Sequence, residues 1–154
     1  AGDHPDTGRR FTMVEPQMGG WGATSTRDGL DAMYSCSHGD TYNCPVEIAE
    51  ARYGLEVDYK ALNDRDEGRG QFSGGRGLSL RYRMRGRTML SAGFSRNRIP
   101  VWGLKGGDEG GTNGFTIVRS DGRRDDKAFA SGVVLEADDA IEIHTANGGG
   151  WGEP

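Results

Sequence analysis

Two cysteines and a histidine lie close together in the sequence and carry side chains that bind soft metal ions. Cys36, His38 and Cys44 follow a C-x-H-x5-C spacing. This spacing can place three ligands on one loop, and zinc would then need a fourth ligand or a water. Free cysteine is also commonly buried as a small hydrophobic residue, and the chain has no C-x2-C pair. The sequence therefore predicts a zinc site at these three residues, with simple packing as the alternative.

A second group of candidate residues is acidic and comprises Asp64, Asp66 and Glu67. Carboxylates clustered in this way can supply a general base or bind Mg²⁺. Arginines are interspersed among them, so a solvated loop is the default interpretation, and Arg69 and Arg76 are expected to be solvated as well. His144 ends an alternating segment, which favours a half-buried structural role. The sequence assigns a catalytic role to no side chain.

Glycine-rich segments raise the question of phosphate binding. The chain has 27 glycines in 154 residues, but it has no G-x-x-x-x-G-K-[ST] motif, and Gly68-Arg69-Gly70 is not followed by a helix pattern. A nucleotide site is therefore not expected in this chain. Five glycines between two strand-like stretches are interpreted as turn residues, namely Gly68, Gly70, Gly74, Gly75 and Gly77.

The elements that must position these residues are mostly strands. Alternation of apolar and polar residues predicts strands over 55–59 and 78–84, and residues 88–92 are predicted to return antiparallel to 78–84. Further strands are predicted at 115–118 and 141–144, with Asp121-Gly122 as a hairpin turn after the first of them.

One short helix is predicted near residues 45–53. Pro45 suits the first turn, Asn43 can act as the N-cap, and Gly54 is expected to end the helix. The predicted fold is mainly β (β-rich α+β), a single compact glycine-rich domain over 11–154 preceded by a flexible segment, 1–10.

The charge and composition of the chain argue against two functional classes, nucleic-acid-binding proteins and membrane proteins. The formal net charge is −4, which gives no basic surplus for general nucleic-acid binding. No apolar stretch approaches the ~18 residues of a membrane span, so we expect a cytoplasmic protein that contacts neither nucleic acid nor membrane. Hydrophobic residues make up only 34% of the chain, a thin core that favours support from partner subunits.

The order of the glycine motifs resembles the C-terminal part of the hydantoinase B family, which includes subunits of ATP-dependent hydantoinases, oxoprolinases and the acetone and acetophenone carboxylases. Five blocks carry the resemblance: Gly19-Gly20-Trp21-Gly22-Ala23 with Arg27-Asp28-Gly29, residues 43–53, residues 68–78, residues 97–107, and the ending 147–154. They follow the family's order over nearly the whole chain from residue 11. The N-terminal portion, where related carboxylases carry metal ligands, has no counterpart here.

The resemblance implies a small subunit of a hetero-oligomeric ATP-dependent carboxylase acting on acetophenone or a similar ketone with bicarbonate. Its partners would be hydantoinase A-like and hydantoinase B-like subunits, with ATP and Mg²⁺ bound by the A-like partner, and the isolated chain would be inactive. Trp21, Trp102 and Trp151 are predicted to anchor the interfaces. Two alternatives remain: a subunit of an ATP-dependent hydantoinase or oxoprolinase that cleaves a cyclic amide, and a non-enzymatic β-rich binding domain.

Overall fold

The computed structural model describes residues 1–35, 38 and 42–154. These residues form one helix and nine strands, whose bounds are β1 Gly2–Asp3, β2 Arg10–Phe11, α1 Val46–Arg52, β3 Leu55–Leu62, β4 Leu78–Met84, β5 Thr88–Gly93, β6 Gly114–Val118, β7 Arg124–Lys127, β8 Phe129–Leu135 and β9 Ala140–His144. The predicted mainly-β class with one short helix is confirmed.

The strands make two antiparallel sheets. The five-stranded sheet has the order β3-β4-β9-β6-β7, and the four-stranded sheet has the order β2-β1-β5-β8. The β6–β7 pair forms a hairpin around Asp121-Gly122, as the sequence predicts.

The core lies between the sheets because alternate strand residues point inward. Leu80 of β4 is opposite Ile143 of β9, which is opposite Phe115 of β6. These side chains are buried and belong to one hydrophobic cluster with Leu135 of β8. The two sheets therefore share a single core, while Arg81 and Glu142, opposite each other on β4 and β9, form an ion pair on the outer face of the five-stranded sheet.

The helix is shorter than its predicted bounds. Pro45 occupies the N-cap position, and Tyr53 the C-cap. The predicted cap at Asn43 is wrong: the Asn43 amide oxygen accepts a hydrogen bond from the Tyr34 hydroxyl, and no side chain of the described residues caps the helix. Ala49 is buried, so the helix is held by packing on the core.

The predicted pairing of 88–92 with 78–84 is also wrong. Both edges of β4 are hydrogen-bonded, to β3 and to β9, so no edge is left for β5. Residues 85–87 instead carry the chain to the other sheet, where β5 pairs with β8 and, at Thr88, with Gly2 of β1.

Segment 1–10, expected to be flexible, contributes β1 and the first residue of β2 to the four-stranded sheet. A Cβ on Gly2 would come within 2.8 Å of the Arg87 carbonyl oxygen, so the close pairing with β5 depends on a glycine there. In the described part of the chain, no helix has the length and apolar character needed to cross a membrane.

Candidate functional site

Four glycine-rich segments from distant parts of the sequence meet at one end of the sheets. They are residues 19–23, 68–77, 101–111 and 145–152, and we call them the glycine layer. A Cβ on Gly20 would lie 1.8 Å from the Gly75 carbonyl oxygen, and a Cβ on Gly74 would lie 1.9 Å from that of Gly148. At these glycines backbone packs directly on backbone, at distances that leave no room for a Cβ.

Backbone hydrogen bonds hold the layer together. Gly148 N–H donates to the Gly75 carbonyl at 2.8 Å, and Gly75 N–H donates to the Trp21 carbonyl at 2.8 Å. Ala23 N–H closes the group by donating to Gly149 at 2.9 Å. The turn interpretation of the glycines in 68–77 is thus corrected: of the five, only Gly68 has a positive φ, at 69°, and the others are needed for close approach.

The buried side chain of Asn147 joins the layer to the β-sheet core. Its Oδ1 accepts the Gly77 N–H at 2.9 Å, and its Nδ2 donates to the Arg65 carbonyl at 3.0 Å. Thr145, just before it in the chain, plays a similar part, since its hydroxyl accepts the Leu78 N–H at 2.7 Å. These bonds fix where the glycine loops leave the strands.

Arg69 and Arg76 of the layer stay exposed to solvent, as the sequence suggested, and each also pairs with a carboxylate of this chain. Arg69 donates to Asp108 at 2.9 Å and lies 3.5 Å from Asp66. Arg76 binds Asp31 through its guanidinium at 3.0 Å and through its backbone N–H at 2.6 Å. The backbone hydrogen bond from Arg76 is the main reason that the pKa of Asp31 is lowered.

The acidic cluster is split by the fold. Asp66 is exposed and pairs with Arg69, whereas Glu67 turns inward against Gly111, where a Cβ would lie 2.1 Å from its Oε2. Among the described residues no hydrogen-bond donor reaches that oxygen. One carboxylate does not make a magnesium site, and among the residues that the structure describes no others join it to form a metal centre.

A mostly apolar cavity of about 880 Å³ opens between the sheets. Phe11, Met13, Leu90 and Ile141 line it together with Tyr82 and Glu15. Its size matches that of small-molecule sites in proteins, which usually combine apolar walls with a few polar groups.

The polar groups of this cavity form a closed cluster around Glu15. Its side chain is about nine-tenths buried; it accepts hydrogen bonds from the Tyr82 hydroxyl, from Gln17 Nε2 at 2.9 Å and from Lys60 Nζ at 3.4 Å. Burial, followed by the bond to Glu15, raises the pKa of Tyr82, which keeps this phenol protonated as the donor. The carboxylate is already satisfied by these donors, so the cluster stabilises the fold and is not poised for proton transfer. Glu15 and Tyr82 are 67 residues apart, and sequence reasoning missed the pair.

The structure describes two of the three predicted zinc ligands. Cys36 lies outside the described residues. Cys44 is a free cysteine packed against the hydrophobic core, and His38 Nδ1 lies 2.8 Å from the Ser35 hydroxyl. Within residues 1–35, 38 and 42–154 no group of three His, Cys, Asp or Glu side chains is arranged to hold a metal ion. Zinc binding that includes Cys36 stays a prediction.

The three tryptophans differ in what they present to solvent. Trp102 is 61% exposed, with the Arg96 guanidinium carbon 5.1 Å from its ring centroid. Trp21 is less exposed, and its indole N–H donates to the Tyr34 carbonyl at 3.2 Å. Trp151 is half-buried and packs on Phe72, with ring centroids 6.2 Å apart. Trp102 therefore has the most surface to offer a partner.

His144 lies on the outer face of the five-stranded sheet at the end of β9. It is half-buried, and a Cβ on the facing Gly114 would lie 3.0 Å from its Cε1. Burial, and to a lesser degree the charge of Arg65, lowers the pKa of His144. The imidazole is therefore neutral at pH 7, as expected for a histidine packed in a sheet.

Comparison with known proteins places the whole chain in one family. The family model for hydantoinase B/oxoprolinase matches residues 1–154. A curated relative, the 5-oxoprolinase PfmaA of Pestalotiopsis fici, is 29% identical over 161 aligned positions that cover 99% of this chain and 12% of the relative. The chain thus spans about an eighth of the length of that protein.

Two solved structures share the fold. The ATP-dependent caprolactamase from Pseudomonas jessenii matches with a TM-score of 0.73 at 22% identity, over 88% of this chain and 24% of the caprolactamase chain. Nucleotide-free acetone carboxylase matches with a TM-score of 0.72 at 16% identity, over 88% of this chain and 22% of the carboxylase chain. At these identities the similarity shows a common fold.

Proposed function

This chain belongs to the hydantoinase B/oxoprolinase family, and from that premise we propose that it completes the B-type portion of an ATP-dependent enzyme that opens a cyclic amide. The observation that carries the proposal is the similarity to a 5-oxoprolinase along 99% of the chain. The caprolactamase, whose fold this chain shares, also acts on a cyclic amide with ATP, as its name states.

The role of this chain within such an enzyme is structural. What it contributes is the backbone packing of the glycine layer, and its buried carboxylate at Glu15 is satisfied by Tyr82, Gln17 and Lys60. The sequence carries no phosphate-binding loop. ATP and Mg²⁺ would accordingly be bound by a hydantoinase A-like partner, and the isolated chain would have no activity.

Carboxylation of a ketone is the second candidate reaction. It is supported by the fold shared with acetone carboxylase, and acetophenone with bicarbonate is the substrate pair that the sequence resemblance implies. The two reactions differ in what ATP-driven turnover requires: a cyclic amide and water in one case, and a ketone and bicarbonate in the other.

The two candidate reactions can be distinguished by the substrates that drive turnover in the assembled enzyme that contains this chain. ADP release would be measured with 5-oxoproline, caprolactam or hydantoin, and separately with acetone or acetophenone plus bicarbonate. We expect release that depends on a cyclic amide. Release only with a ketone and bicarbonate would replace the first candidate by the second, and turnover by the isolated chain would overturn the structural role.

A matched pair of variants tests whether the glycine layer matters for that turnover. Gly20→Ala places a Cβ 1.8 Å from a backbone oxygen, whereas Gly22→Ala, two residues on, places it 3.7 Å from one. We expect Gly20→Ala to abolish assembly and activity and Gly22→Ala to retain both. Equal activity in the two variants would show that the layer contributes nothing to the enzyme.

A further inference from the structure

Residues 96–105, which lead into the third segment of the glycine layer, present large apolar side chains to solvent. Ile99 is 74% exposed, Trp102 61% and Leu104 51%. Monomeric proteins rarely leave adjacent large apolar side chains uncovered, and tryptophan is the residue most enriched at the centres of protein interfaces.

The backbone beneath these side chains is held rigidly. The Val101 carbonyl accepts the Gly110 N–H at 2.7 Å, and Leu104 N–H donates to Gly150 at 2.9 Å. The Trp102 carbonyl lies against Gly149, where a Cβ would approach it to 2.2 Å. Side chains presented on a fixed backbone lose little conformational entropy when a partner binds.

The same stretch carries a local excess of positive charge. Residues 95–107 contain three bases, Arg96, Arg98 and Lys105, and no acidic residue, although the whole chain has a net charge of −4. Arg96 stacks over Trp102, and within the described part of the chain none of the three bases forms an ion pair. The stretch therefore combines an apolar centre with basic side chains that form no ion pair among the described residues.

We propose that residues 96–105 are a docking surface for the rest of the B-type portion of the enzyme, which contacts them with an apolar pocket bordered by carboxylates. This inference rests on the proposed function. In the two structures that share the fold, more than three quarters of the chain lies outside the matched region. A polypeptide of that length, continuous with this region in both relatives, is the nearest source of a covering surface.

Charge and symmetry argue against a second copy of this chain or a nucleic acid as the partner that covers residues 96–105. A second copy bound through the same patch by a two-fold axis would place the three bases of one copy against those of the other. A nucleic acid would need a row of phosphate contacts and would leave Ile99 and Leu104 without an apolar partner.

Zero-length cross-linking of the assembled enzyme tests the proposal. A carbodiimide activates an Asp or Glu carboxylate, and the Lys105 amine then displaces the urea to form an amide. We expect mass spectrometry to find Lys105 joined to acidic residues of the B-type portion that lie outside residues 1–154, whether these belong to the same polypeptide or to a separate one. Linkage only within residues 1–154, only to an A-type polypeptide or only to a second copy, or no linkage, overturns the assignment.

Three variants test whether the cross-link depends on the charge of this surface and on the Lys105 amine. Arg98→Glu is expected to lower the yield of the Lys105 cross-link at least tenfold, whereas Arg9→Glu, an exposed base in the N-terminal hairpin, leaves it unchanged. Lys105→Arg keeps the charge and removes the amine, so its cross-link disappears. Equal yields in Arg98→Glu and the wild type overturn the role of charge. Because cross-linking needs no turnover, an enzyme inactive on every substrate would refute the proposed function and leave this assignment standing.

Discussion

The β-sheet core and the glycine layer are stabilised in opposite ways. In the core, the facing sheets pack about 10 Å apart, and side chains such as Leu80 and Phe115 fill the space between them. In the layer there is no such space, because the Gly74 and Gly148 backbones touch. A mutation in the core does harm by removing atoms, and a mutation in the layer does harm by adding one.

The largest expected effect is that of adding a single carbon in the layer. Gly74→Ala would place a Cβ 1.9 Å from a backbone oxygen that cannot move without breaking its neighbours' hydrogen bonds. We expect a loss above ~3 kcal/mol in the free energy of unfolding, the upper end of ordinary overpacking. Denaturant titration measures it, with Gly22→Ala as the control that stays within about 0.5 kcal/mol of the wild type. Similar values for both variants would remove the distinction between the two regions.

Removing side-chain atoms from the core is expected to lower the free energy of unfolding somewhat less than adding a carbon in the layer. Leu80 is fully buried between β4 and the facing sheet, and Leu80→Ala is expected to lower the free energy of unfolding by about 2–5 kcal/mol through lost burial and the cavity left behind. The matched control is Leu104→Ala, since Leu104 is half-exposed in the layer. A smaller loss for Leu80→Ala than for Leu104→Ala would contradict the described core.

A smaller, pH-dependent effect is expected at Asp139, where β8 turns into β9. Burial opposes ionisation of this carboxyl, but hydrogen bonds from the Glu136 and Ser120 N–H groups and from Arg119 outweigh burial and lower its pKa. A lowered folded-state pKa stabilises the fold above the unfolded value of about 3.9 and loses that contribution as pH falls below it.

Asp139→Asn should therefore lower the free energy of unfolding at pH 7 by about 1–3 kcal/mol, with a gap to the wild type that narrows toward pH 2. Unfolding of both proteins across this pH range gives the test. Asp138→Asn, at the exposed neighbouring position, is the control and should change stability little at either pH. A gap that is constant with pH would mean that the Asp139 carboxylate is not the stabilising form.

The smallest expected loss of stability distinguishes a glycine needed for a left-handed backbone conformation from glycines needed for close backbone packing. Gly122, in the β6–β7 turn, has a φ of 86°, and a Cβ added there would have nothing within 4 Å. Gly122→Ala should cost about 1–2 kcal/mol from the left-handed backbone alone, and Gly122→Asn less, because asparagine tolerates this region. Thermal unfolding compares the two, and a loss for Gly122→Ala as large as that for Gly74→Ala would show that space is not what distinguishes the layer.

The sequence predicted the features of the molecule that depend on local signals and missed those that depend on distant residues. Strand periodicity and the Asp121-Gly122 turn are local signals, and they located β3, β4, β6 and β9. The pairing of β5 with β8 was missed because it depends on which strand edges other strands have already taken.

The candidate site was predicted less well for the same reason. Whether a glycine such as Gly75 serves a turn or a contact depends on Trp21 and Gly148, which are far away in the sequence. The Glu15–Tyr82 pair left no local signature either. The family resemblance, in contrast, was recoverable because the glycine motifs keep their order along the chain.

The glycine layer also constrains when the protein can fold during synthesis. Residues 145–152 supply backbone that Gly20, Gly74 and Gly77 rest on, so the contacts of the earlier segments with residues 145–152 cannot form until that segment leaves the ribosome. Until then the earlier segments can contact only one another, and the layer is completed when residues 145–152 join them.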